Sequence, residues 1–138
     1  MNTTLSREAL VNSLLPQQVP DAEVVPNTTM MRFALLPNAS IRLPDLIAYS
    51  QEHGALFFID IGAMDHTRLA ELKAWSDAVD CRRVFVSVFH SRKAYAKRMD
   101  VQAANTFAWF MEEPKHTMFI SGSPEASAEF LGARFAVG

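Results

Sequence analysis

The chain has 138 residues and a formal charge of −2 at pH 7, a length suited to one core that buries roughly two-thirds of the unfolded surface. That charge gives no global pull toward nucleic acid or an acidic membrane face, so any anion site must be local. Apolar residues at 49 % and charged residues at 20 % exclude a disordered chain, and the single cysteine, Cys81, excludes an internal disulfide or a cysteine-rich zinc site.

Thr4 or Ser6 is placed to cap an N-terminal helix through Leu15, with Leu5, Ala9, Leu10 and Leu14 at helical spacing and Pro16 and Pro20 closing it. Residues 17–29, with Pro20 and Pro26, read as an extended connector, so 1–29 form a helix and tether and 30–138 an α/β domain. In that domain 30–36 reads as a strand, 44–53 as a helix with proline in its first turn and Gly54 at its end, and 55–61 as a buried strand. A helix over 67–79 and a strand over 83–89 follow. The spacing then predicts a long helix over 91–112, broken near Asp100, in which Phe107, Trp109, Phe110 and Met111 read as core packing rather than as a stacking platform for bases, with Trp109 left at a surface or interface. A last strand, 116–120, precedes a final helix opened by Ser123-Pro124-Glu125. Strands separated by helices predict an α/β fold, a single domain whose sheet is covered by helices, with a doubly wound parallel sheet as the alternative. The apolar runs are strand-sized and the N-terminus lacks a basic leader, so the expectation is a cytoplasmic protein without membrane insertion.

Ligands of such sheets bind at strand-to-helix junctions. His90-Ser91-Arg92-Lys93 opens a helix after a strand, where free amides and basic side chains suit a phosphate. The plainer alternative is that Ser91 caps the helix and the basic residues are its solvated face. Asp60, Asp65 and His66 follow the most apolar strand and are candidates for divalent-metal binding or proton transfer. There the alternative is that Asp65 or Thr67 caps the next helix while Asp60 packs at the sheet end. His53, His66, His90 and His116 show no paired ligand spacing.

Pro37-Asn38, Ile41-Arg42, and the run Leu46-Ile47-Ala48-Tyr49-Ser50-Gln51-Glu52-His53-Gly54 before a hydrophobic strand resemble the opening of the ParB/sulfiredoxin-like domain. His90-Ser91-Arg92-Lys93-Ala94-Tyr95-Ala96 falls where that family carries its Gly-Glu-Arg-Arg-x-x-Ala phosphate motif, matched at Arg92, Lys93 and Ala96 and not at His90 and Ser91. The resemblance implies a nucleotide or nucleic-acid phosphate held by His90, Ser91, Arg92 and Lys93 with Asn38 and Arg42. It further implies a nucleoside triphosphate with Mg²⁺ as cofactor, and Asp60, Asp65 and His66 activating metal or water in a nucleotidase or nuclease. The small plasmid fertility-inhibition proteins of that family, which act against conjugative DNA transfer, are the nearest in style. The degenerate motif also admits a non-enzymatic inhibitor or adaptor that has lost the ligand and works through a protein partner.

Overall fold

The computed structural model describes residues 5–38 and 40–121. Ser6 caps the first helix, its Oγ accepting from the Ala9 amide at 3.2 Å. The helix runs through α1 (Arg7–Ala9), a π-helical turn (Leu10–Leu14) and α2 (Leu15–Gln18). Pro16 falls inside this continuous helix, directly after the π-helical turn, and having no N–H it cannot donate a bond to the turn before it. Leu10, Leu14 and Leu15 are buried against the sheet, so this segment is part of the same core.

Six strands follow: β1 (Glu23–Val24), β2 (Leu46–Ser50), β3 (Ala55–Ile61), β4 (Arg82–Phe89), β5 (Thr106–Phe110) and β6 (Glu113–Ile120). They lie in chain order across one sheet. β3, β4 and β5 are parallel, and β1–β2, β2–β3 and β5–β6 are antiparallel pairs. The parallel strands are joined by crossovers carrying α3 (His66–Trp75) and α4 (Arg92–Ala96). The sheet is therefore mixed, which rules out the doubly wound parallel alternative and upholds the α/β class.

Three expected elements differ, each for a physical reason. Residues 30–36 are not a strand: Asn27–Phe33 is a 3₁₀ helix stopped by Ala34 at φ 62°. Met30 and Phe33, three apart, eclipse on such a helix and turn one apolar edge inward. Residues 44–53 are not a helix. β2 buries Leu46 and Ala48 on one face and Ile47 on the other, so no alternation survives in the sequence. Gly54, at φ 58°, serves the β2–β3 turn rather than a helix end, since both need the same left-handed backbone. The long helix over 91–112 shrinks to α4, and Thr-Phe-Ala-Trp-Phe is instead the wholly buried β5. The helix expected from Ser123 lies outside the described residues.

Alternation along β3 sends Ala55, Phe57 and Ile59 to the face covered by the N-terminal helix, with Val84, Val86, Val88, Phe107 and Trp109. Leu56 and Phe58 go to the other face, under α3 through Leu69 and Leu72, with Phe85 and Met64. Asp60 continues that second series at the carboxyl end of the strand.

Candidate functional site

The β2–β3 ladder pairs Leu46 with Ile59, and the next step outward sets Asp45 against Asp60 on the α3 side. The Asp45 amide donates to Asp60 Oδ1 at 3.4 Å, and the Ile61 amide donates to Asp45 Oδ2 at 2.8 Å. Like charges directly opposite one another on a sheet are destabilising, and burial makes this worse for Asp60, whose side chain is only 2 % exposed. Two arginines answer that charge.

Arg68 comes from the first turn of α3, which Asp65 caps by accepting from the Arg68 amide at 2.8 Å. The Arg68 fork grips Asp60 through Nε to Oδ2 at 2.8 Å and Nη2 to Oδ1 at 3.2 Å. Its remaining nitrogen, Nη1, donates to the Arg42 carbonyl and to Glu71 Oε1 at 3.1 Å. Burial works against the Arg68 charge, but hydrogen bonds and attraction from Asp60, then from Glu71, outweigh it and raise its pKa above the ordinary value. Arg42 approaches from the solvent side, with Nη2 at 3.4 Å from Asp60 Oδ2 and Nη1 at 3.9 Å from Asp45 Oδ1.

The loop after Asp60 is fastened from below. Gly62 turns at φ 96° and its amide donates to the Val88 carbonyl at 2.8 Å. The Met64 amide donates to Gln102 Oε1 at 3.0 Å, and Gln102 Nε2 donates to Ser87 Oγ at 2.9 Å and Thr106 Oγ1 at 3.0 Å. All three polar side chains are buried, so the loop is tied to β4 and β5 by a satisfied network.

Of the residues singled out in the sequence, the structure brings Asp60 and Arg42 together. Asp65 is the cap of α3 and His66 is its exposed first residue. Asn38 turns back on its own loop, its Oδ1 accepting from the Ser40 amide at 2.9 Å and Ser40 Oγ at 2.6 Å. At the β4 exit, Ser91 caps α4 through the Ala94 amide at 3.1 Å, and His90 Nε2 lies 3.8 Å from Glu112. Arg92 forms a fork with Glu113 at 2.7 and 2.8 Å, while Lys93 is exposed.

Asp45 and Arg68 were not legible in the sequence as site residues. Asp45 was hidden by the helix expected over 44–53, because in a helix it faces nothing across a ladder. Arg68 follows Asp65 by three, the spacing of a cap and a side chain one turn in, but only the tertiary fold directs it at Asp60. Among the described residues one group of three possible metal ligands occurs, Asp21, Glu52 and His53, with ligand atoms within 4.8 Å of one another. It lies at the opposite end of β2, and Asp21 is already engaged there, accepting from Ser50 Oγ at 2.8 Å and the Glu52 amide at 3.0 Å.

Residues 8–123 match the family model of the BsuBI/PstI restriction endonuclease domain. The chain belongs to the BsuBI/PstI restriction endonuclease domain family. The structure described as that of SdaI restriction endonuclease superposes on this BsuBI/PstI-type domain with a TM-score of 0.73 at 22 % identity, over 88 % of this chain and 44 % of that one. It therefore shares the fold, and the chain spans less than half the length of that protein. Comparison with curated proteins gives no match. Membership in the BsuBI/PstI family overturns the ParB/sulfiredoxin resemblance, and with it the nucleotide-binding, fertility-inhibition and non-enzymatic adaptor readings. The run 46–54 that suggested that resemblance as a helix is the β2 strand and its turn. Among the described residues no helix is long and apolar enough to cross a membrane.

Proposed function

We propose that this domain hydrolyses DNA phosphodiester bonds with a divalent cation held at the Asp45–Asp60 pair, on its Asp45 side. The observation that carries the reading is the pair itself: two carboxylates opposed at the open end of β2 and β3, in a chain of a restriction endonuclease family. The donor set suits Mg²⁺, which takes carboxylate oxygens together with water and substrate phosphate. Among the described residues Asp45 Oδ1 has only the Arg42 guanidinium as a charged partner, at 3.9 Å, and its side chain is 35 % exposed, so an oxygen is on offer toward solvent. When bound, such a cation lowers the pKa of its water and neutralises charge on the phosphoryl oxygens.

The chain's own residues do the rest. Arg42, 61 % exposed and poised over both carboxylates, offers a planar fork to the scissile phosphate and swings from carboxylate to phosphate as DNA arrives. Gln102 and Ser87 hold the loop after Asp60 so that the carboxylate does not drift. Asp65 keeps α3 in place, and His66, exposed at the first position of α3, is the nearest candidate in sequence for accepting a proton.

β3 and β4 run parallel and leave the sheet at the same end, with Ile61 beside Val88. His90, Ser91, Arg92, Lys93, Lys97 and Arg98 therefore cluster at that end, four of them basic and exposed. In this reading they contact flanking phosphates of the duplex rather than a nucleotide, which supplies affinity without sequence information. The test is conversion of supercoiled plasmid to nicked or linear forms in Mg²⁺. The native chain should cleave and Asp45→Asn should not. Equal cleavage by the two, or cleavage that persists in excess EDTA, removes the reading.

A further inference from the structure

Resting on that reading of Asp45 and Asp60, we infer that Arg68 permanently fills one of the two cation positions of the pair, so that the site takes a single divalent cation, on the Asp45 side. A two-cation site sets its ions roughly 3.5–4 Å apart around the reacting phosphate, and a second ion here would have to share Asp60. Both Asp60 oxygens already face the Arg68 fork, at 2.8 and 3.2 Å.

Arg68 is not free to yield. Its guanidinium donates to acceptors in three places, Asp60 on β3, the Arg42 carbonyl ahead of β2, and Glu71 on α3. Its side chain is only 10 % exposed, so little solvent is available to receive a displaced charge. A guanidinium also keeps its proton under all working conditions, unlike a lysine at the same point. The second ion would lack donors as well: among the described residues no third histidine, cysteine or acidic side chain joins Asp45 and Asp60. Arg68 is thus a positioning residue. It supplies fixed positive charge, sets the plane of Asp60, and leaves Asp45 Oδ1 as the oxygen open to a mobile cation.

The experiment is Mn²⁺ binding to the full chain by isothermal titration, with stoichiometry as the readout. The native chain is expected to take one ion, Asp45→Asn none, Arg68→Lys one, and Arg68→Gln two, because the uncovered Asp60 then recruits a second. Two ions on the native chain, or an unchanged count in Arg68→Gln, overturns the inference while leaving the cation-dependent reading in place. No ion on the native chain removes both. If Arg68→Gln does not fold, the native count of one against two decides alone.

Discussion

The Asp45 amide reaches across the last rung of β2 and β3 to Asp60 Oδ1 at 3.4 Å, while Asp45 Oδ2 takes the amide of Ile61, the residue after Asp60, at 2.8 Å. Each aspartate thereby helps to fix the other's end of the hairpin, and neither moves alone. Substituting Asp60→Asn keeps the shape and removes the charge. DNA cleavage is expected to fall at least about 100-fold, beyond what losing an outer partner costs, and the fall is read as single-turnover rates at saturating Mg²⁺.

Breaking the buried ion pair from the other side is expected to unfold the domain readily. Arg68→Ala leaves Asp60, 2 % exposed, with only the longer 3.4 Å contact to the solvent-exposed Arg42 among the described residues, a loss of up to about 3–5 kcal/mol by urea denaturation. The double variant Asp60→Asn/Arg68→Gln should lose less than the two single changes together, because neither partner is left charged and alone. Additive losses would show that the two residues are not coupled.

Gln102 is expected to act through the loop rather than at the reacting atoms. Gln102→Leu leaves Ser87 Oγ and the Met64 amide without their buried partner, at a cost of about 1–3 kcal/mol. Cleavage should drop as the loop loosens, with the loss falling in kcat rather than in DNA affinity. A variant as stable as the native chain would mean that the network contributes nothing.

Asp21 gives the fold a pH dependence at the end of the sheet away from the site. Its slight burial raises its pKa, but the Glu52 amide, the Ser50 hydroxyl and the charge of His53 outweigh that, and the carboxyl titrates below its ordinary 3.8. A lowered folded pKa stabilises above the unfolded value and loses that contribution as pH falls through the folded one. Asp21→Asn should therefore melt below the native chain at neutral pH, by about 1 kcal/mol given its exposure. The gap should close on acidification below the ordinary value. A gap that is constant down to the acid limit would contradict the assignment.

The basic residues after β4 are expected to govern salt dependence. Lys93→Ala/Lys97→Ala should weaken binding to any duplex alike and lower the slope of log affinity against log salt by about 0.9 for each phosphate no longer neutralised. Arg92→Ala should do less in the free chain's stability than its geometry suggests, because the fork to Glu113 is exposed on both sides.

The sequence carried the α/β class, the two central parallel strands and α3, since these hold strong apolar runs bounded by a cap or a glycine. β2 and β5 did not show, because strands buried on both faces lose the alternation that marks a strand and then read as helix. The opposed aspartate pair went with β2. Asp60 was visible as a carboxylate after an apolar strand, but Asp45 becomes its partner only once β2 turns back beside β3, a long-range pairing that local spacing does not encode. Arg42 was visible as a phosphate candidate and lies at the pair, although the resemblance that suggested it was mistaken. Arg68 was invisible for the same reason as Asp45: its role is set by where α3 crosses the sheet.

The most direct test is Mg²⁺-dependent cleavage of a labelled DNA duplex by the native chain and by Asp45→Asn, each first shown to be folded by its thermal midpoint. Cleavage by the native chain should rise with Mg²⁺ and vanish in EDTA, and a folded Asp45→Asn should leave the duplex intact. A folded Asp45→Asn that cleaves at the native rate would contradict the proposed role of Asp45, and would move the reaction away from the β2–β3 pair.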